Sequence, residues 1–312
     1  MGITDYLPQK IRNDAKKYMA QGLEEIRVRS QRPVQYIFCD RSVYGETADR
    51  EDIEEMINYL SDYSFHAIER QLTDGYFTVE GGHRVGIAGQ TNGSGKNICS
   101  VGDIASLNIR IARQIKGVAE PVVSDIRRGN GIYNTLIVSK PGEGKTTCLR
   151  DCIRILSDGA DGLRQLKVAV VDERSEIGAC YNGIAQNDLG SSCDVMDNCP
   201  KSVGMKMLLR SMSPDVIAVD ELGSRSDFEA VDEITNCGVG ILGTIHAQTP
   251  GDLRKKHIPD KIERIIFIEK SGGGKRQYSV YDKDFGLLDS YAWDGRNNKC
   301  MERAKKAGYQ DA

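Results

Sequence analysis

The chain has no apolar run near the roughly 18 residues that a bilayer-spanning helix needs. Its first residues, MGITDYLPQKIRND, hold no apolar signal-peptide core, and Tyr6 stands where a myristoylation sequence takes Ser or Thr. There are 9 cysteines but no C-x-x-C pair. Cys148 and Cys152 fall on one helix-like stretch with no further ligands close by. An odd count without framework spacing suits a reducing compartment. With one Trp and 6 Phe the chain is poor in these stacking side chains, and its formal charge of −3 gives no global basic field. No nucleic-acid module, internal repeat or low-complexity segment is recognisable. These absences predict a cytoplasmic protein that does not act on nucleic acid.

What is present falls into two halves, and 312 residues are enough for two domains with real cores. Residues 1–118 mix short helical and strand patterns. LPQKIRNDAKKYMAQ (7–21) and REDIEEMINYLSDYS (50–64) carry apolar residues at a helical period. EEIRVRS, PVQYIFCD and ASLNIRIAR read as strands, and YFTVEGGHRVGIAGQ as a hairpin turning at Gly81–Gly82. This half is predicted to be an α+β domain. Residues 119–132 read as a linker with a short helix, and 133–312 as the second domain. There YNTLIVS, KVAVVDE, VIAVDE, VGILGTIHA and IERIIFIEK are apolar on both faces, as buried parallel strands are. They alternate with helical stretches, which predicts an α/β doubly wound sheet with functional residues at the strands' carboxyl ends. Residues 251–312 carry no recognisable chemistry.

LIVSKPGEGKTTCLRD (136–151) passes from an apolar strand through a Gly-containing turn to a helix. Backbone N–H groups of such a turn form an anion-binding nest, and the helix adds the positive end of its dipole. Pro141, Gly142, Glu143, Gly144, Lys145, Thr146 and Thr147 are therefore candidates for holding the phosphates of ATP. Lys145 would reach the β- and γ-phosphates, and Thr146 would offer its hydroxyl to Mg²⁺. Ser139 stands where the full phosphate-loop signature has Gly, and Gly142 lies inside the loop instead.

Hydrolysis also needs an acid for the Mg²⁺ shell and a group that orients water. VIAVDE offers Asp220 for the metal and Glu221 for the water. VVDERSEIG adds Glu173 and Glu176 near a second strand end, and GTIHAQT places His246 at a third. Each has a plainer alternative: Asp220–Glu221 as a helix-capping pair, the acidic cluster as an ion-pair network with Arg174, and His246 as a satisfied core imidazole.

The order of phosphate loop, DERSE, LLRSMSPDVIAVDELG and GTIHA resembles that of the secretion ATPases of type II and type IV secretion and pilus systems. Those are RecA-like P-loop enzymes. Longer stretches, among them EEIRVRSQRPV, GGHRVGIAGQ, VVDERSEIGACYNG and DVMDNCPKSVGMKMLLRSMSPDVIAVDELG, resemble a sporulation family, the stage III AA family of endospore-forming bacteria. The resemblance covers most of residues 24–250. It implies a RecA-like P-loop domain behind a smaller α+β domain, and ATP hydrolysis with Mg²⁺. It implies a homo-oligomeric, hexameric ring. It further implies membrane-protein partners in the stage III sporulation channel complex, met from the mother-cell cytoplasm. It matches Lys145 and Thr146 to the phosphate loop, Glu176 and its neighbours to the acidic box, and Asp220 and Glu221 to the Walker B end. Thr244 and His246 match the His box. It also implies that an arginine of the first domain approaches the phosphates, with Arg84, Arg110 and Arg113 as candidates and strand-surface ion pairing as the plainer role. A nucleic-acid-associated RecA-like ATPase is the rival reading.

Overall fold

The computed structural model describes residues 2–61, 75–94, 97–159, 164–256, 258–271, 275–294 and 299–303. It divides into two compact units, residues 1–113 with 179–187, and residues 114–178 with 188–312.

The first unit is built on a six-stranded antiparallel sheet. Its strands are β1 (Glu25–Arg29), β2 (Arg32–Ile37), β3 (Ser42–Ala48), β4 (Tyr76–Val79), β5 (His83–Ser94) and β6 (Asn97–Arg110), in the order β3-β2-β1-β6-β5-β4. The helices Gln9–Met19 and Arg50–Leu60 have the predicted period, and Ile11, Ile53 and Met56 meet Ile26, Val28, Phe77 and Ile109 in one core. Asp49 starts the second helix: its carboxylate accepts from Asp52 N–H at 2.9 Å, and Asp52 reciprocates at 2.7 Å. The hairpin turns at Gly81 and Gly82, whose φ values of 85° and 76° favour glycine. Residues 179–187 join this unit although they come from the middle of the second half; Gln186 Oε1 accepts from Gly81 N–H at 2.8 Å.

The second unit begins at residue 114, and the stretch expected as a linker is part of it. The helix Glu120–Ile126 buries Val122, Val123 and Ile126, and Ala119 N–H donates to Asp151 Oδ2 at 2.9 Å. Two short strands follow, β7 (Arg127–Arg128) and β8 (Gly131–Ile132). A nine-stranded sheet then carries the domain. Its strands are β9 (Thr135–Ser139), β10 (Val168–Asp172), β11 (Cys193–Asp197), β12 (Val216–Val219), β13 (Gly240–His246), β14 (Arg264–Ser271), β15 (Lys275–Asp282), β16 (Leu287–Asp294) and β17 (Lys299–Arg303). The order is β11-β10-β12-β13-β9-β14-β15-β16-β17; pairing is parallel as far as β14 and antiparallel beyond it.

Every residue of β9, β10 and β12 is buried, which is why these strands read as unbroken apolar runs. Leu136, Val138, Ile217, Val219 and Ile265 pack with Met205, Val231 and Ile234 of the helices Lys201–Ser211 and Arg225–Asn236. The helix Lys145–Asp158 packs on β9, β10 and β13 through a buried stripe that includes Cys148, Leu149 and Cys152. The parallel registers Val171↔Val219, Val219↔Gly243 and His246↔Ser139 bring the carboxyl ends of β10, β12, β13 and β9 to one sheet edge.

Candidate active site

The stretch expected as a phosphate loop fills the turn between β9 and the helix Lys145–Asp158. Gly142 and Gly144 adopt φ values of 77° and 102°, where a side chain is strained. Cys148 N–H donates to Gly144 O at 2.9 Å and so closes the first helical turn. Ser139 needs no such conformation. It is the last residue of β9, in register with His246, and its hydroxyl donates to Lys140 O at 2.8 Å. The missing signature glycine therefore falls on ordinary strand backbone.

Lys145 is buried at the loop's exit, and its Nζ lies 2.9 Å from His246 Nε2 and 3.6 Å from Glu221 Oε1. His246 Nε2 is also 2.9 Å from Glu221 Oε1. One ring nitrogen either accepts from Lys145 or donates to Glu221; it cannot do both at once. Arg174 Nη1 holds the other oxygen of Glu221 at 3.0 Å. Burial opposes ionisation of Glu221. The His246 hydrogen bond and the charges of Lys145 and Arg174 outweigh it and keep the carboxyl below its ordinary value.

Thr146 Oγ1 donates to Asp220 Oδ2 at 2.7 Å. Asp220's other oxygen accepts from the buried Thr244 hydroxyl, which in turn accepts from Glu221 N–H at 2.8 Å. Glu221 has a φ of 55°, unusual for a non-glycine residue, and its N–H is held there by Thr244 Oγ1 at 2.8 Å and Asp220 Oδ1 at 3.1 Å.

The acidic cluster at the end of β10 divides into different roles. Asp172 is buried, accepts the N–H groups of Glu176, Ile177 and Gly178 at 2.9, 2.9 and 2.7 Å, and shapes the loop. Burial pushes its carboxyl up to about 6 against those hydrogen bonds. Glu173 pairs with Lys201, and both line one small hollow with Asp172, Arg174, Glu176, Asp220 and Glu221.

The structure thus brings together Lys145, Thr146, Asp220, Glu221 and His246, with Glu173 and Glu176 beside them. Arg84 belongs to the first unit, where its guanidinium stacks on the Tyr76 ring at 3.6 Å. Arg110 pairs with Glu25 at 3.7 Å, and Arg113 donates to Leu23 O at 2.8 Å, which are structural contacts within that unit.

Arg150 carries no motif signal. It is one helical turn beyond Thr146 and donates to the carbonyls of Glu176 and Ile177 at 2.6 and 3.0 Å, which ties the phosphate-loop helix to the acidic loop. Its partners are backbone atoms, and no residue type in the sequence announces those.

The residues fit a nucleotide with Mg²⁺. A magnesium ion bound with phosphates takes one or two protein oxygens and keeps several waters. The hydrogen-bonded pair Thr146 and Asp220 supplies that. Among the described residues no cluster of three or more His, Cys, Asp or Glu forms an all-protein metal cage.

The family model described as sporulation stage III, protein AA, matches residues 3–286. Stage III sporulation protein AA of Bacillus subtilis (strain 168) is 38% identical over 296 residues, covering 92% of this chain and 96% of that protein. The pilus retraction motor PilT with bound ADP superposes with a TM-score of 0.62 at 17% identity, over 88% of this chain and 83% of that one. The Legionella pneumophila ATPase DotB gives 0.58 at 14%, over 89% and 84%. At these identities the two structures establish a shared fold and no more: an α/β unit with a mostly parallel sheet preceded by a smaller unit.

Proposed function

Because the chain belongs to the sporulation stage III, protein AA family, we propose that it is a Mg²⁺-dependent ATPase that works as a motor at a sporulation channel. The observation that carries this reading is the convergence of Lys145, Thr146, Asp220, Glu221 and His246 at one sheet edge. Phosphates of ATP are held by the amides of residues 141–147 and by Lys145. Mg²⁺ would be held through Thr146 and Asp220, where it supplies charge neutralisation for the phosphates. Glu221 orients the attacking water. When Lys145 turns to a phosphate, His246 Nε2 is released to donate to Glu221, so nucleotide occupancy sets the position of the water-orienting carboxylate. Glu173 and Glu176 shape the acidic side of the hollow. Arg84 is the proposed source of a guanidinium for the charge developing on the γ-phosphate.

Among the described residues no helix is long and apolar enough to cross a membrane. The proposed location is the mother-cell cytoplasm, peripheral to the membrane through protein partners of the stage III channel, with a homohexameric ring as the working form. Native mass of purified Glu221→Gln protein, with and without Mg-ATP, tests the ring. A shift to a hexamer with Mg-ATP is expected. Absence of ATP binding in wild-type protein would overturn the ATPase reading itself.

A further inference from the structure

We propose that Arg276, on the β14–β15 hairpin, is a phosphate-binding residue of the nucleotide site, acting from the same chain that carries the phosphate loop. This rests on the ATP-binding reading above.

β14 pairs with β9 up to Phe267↔Val138 and then continues to Ser271, past the end of β9 and alongside the phosphate loop. β15 returns antiparallel, and its register sets Arg276 directly opposite Lys270. Directly opposed side chains share one sheet face, and opposed like charges are destabilising unless something offsets them. Both cations reach the loop. Lys270 Nζ donates to Gly142 O at 3.2 Å. Arg276 packs against Gly144: a Cβ at that glycine would fall 3.0 Å from Nη2 and 3.1 Å from Nε.

The guanidinium is only partly satisfied. Among the described residues Nε and Nη1 are buried without a hydrogen-bond partner. The Tyr278 hydroxyl, itself buried, lies beside the guanidinium and feels its charge. Leaving such donors unpaired is costly, and a guanidinium prefers a bidentate anion. Trp293 supplies a ring 5.1 Å from Arg276 Cζ, a cation–π contact that helps hold the group in place. An arginine with two buried, unfilled N–H positions and a facing lysine at the phosphate loop form a built cation pair, and the anion that reaches it is the polyphosphate of a nucleotide. Its donors are complementary to a di- or triphosphate and indifferent to the base.

Calorimetric titration of wild-type, Arg276→Gln and Arg276→Lys protein with Mg-ATP, Mg-ADP, pyrophosphate and adenosine tests this. Both substitutions keep a stem over Trp293. Arg276→Gln is expected to weaken ATP, ADP and pyrophosphate about tenfold or more, by loss of a charged hydrogen bond, and to leave adenosine unchanged. Arg276→Lys should recover part of that loss. Trp293 is the chain's one tryptophan, and its fluorescence should change on binding of pyrophosphate alone to wild type. Unchanged affinities in both variants would overturn the proposal. So would equal losses for adenosine and phosphates with a lowered melting temperature, which would make Arg276 a brace under the loop. If wild type binds no phosphate ligand, the ATP-binding reading fails first.

Discussion

Lys145 Nζ lies 3.6 Å from Glu221 Oε1, so the phosphate-loop lysine and the water-orienting carboxylate of the proposed mechanism neutralise one another. A bound γ-phosphate must draw Lys145 away, and Glu221 then keeps Arg174 and gains the His246 donor. Ground-state pairing of this kind makes Glu221 responsive to occupancy.

Glu221→Gln tests that link. The amide can still meet His246 and Arg174, so folding and nucleotide affinity are expected to change little. It no longer polarises water, and ATP turnover should fall by about a hundredfold or more. Steady-state hydrolysis beside equilibrium binding separates the two. Unchanged turnover would remove Glu221 from the chemistry.

Asp172 gives a pH signature. Its carboxyl titrates near 6 in the fold against an ordinary 3.8, because burial outweighs its three N–H partners. Between those values the native state binds more protons than the unfolded chain. Stability from this group is therefore lost as pH rises from about 4 to about 6, by on the order of 3 kcal/mol. Urea unfolding of wild type and Asp172→Asn across that window should show the wild type falling relative to the variant. A constant difference between the two would mean that Asp172 titrates normally.

Much of the second unit was legible because its central strands are buried on both faces. LIVS, VAVVD, VIAV and ILGTIH leave no polar alternation to confuse the reading. Their parallel registers then place the motif residues together without further information. Residues 251–312 said little, and for a physical reason. IERIIFIEK reads as a strand and SGGGKRQ (271–277) as a turn after it, but β15 already begins at Lys275 and alternates buried Tyr278 and Val280 with polar neighbours, a weaker signal than an unbroken apolar run. The placement of residues 179–187 in the first unit depends on packing between distant parts of the chain, which local pattern does not encode.

The two loop glycines should respond differently to a methyl group. At Gly142 a Cβ meets nothing within 4 Å, so Gly142→Ala carries only the left-handed penalty of about 1–2 kcal/mol. At Gly144 the same penalty adds to a 3.0 Å approach to Arg276. Gly144→Ala is expected to lower both melting temperature and nucleotide affinity more than Gly142→Ala. Pairing Gly144→Ala with Arg276→Ala should recover part of the melting temperature, and no recovery would mean that the contact is not the cause.

Thr244 offers the sharpest division between positioning and chemistry. It is fully buried, its hydroxyl donates to Asp220, and it accepts Glu221 N–H at 2.8 Å. Thr244→Val keeps the shape and removes both bonds. Glu221 N–H then retains only Asp220 Oδ1, at 3.1 Å, and the backbone at φ 55° loses its main tether. A stability loss of about 1–2 kcal/mol is expected. Turnover should fall more than ATP affinity, because the phosphate loop is untouched while Glu221 is displaced and Asp220 keeps its bond to Thr146 but loses the one to Thr244. Thr244→Ser restores the hydroxyl and should restore turnover. If the serine variant is as slow as the valine variant, the methyl packing rather than the hydrogen bonds positions Glu221.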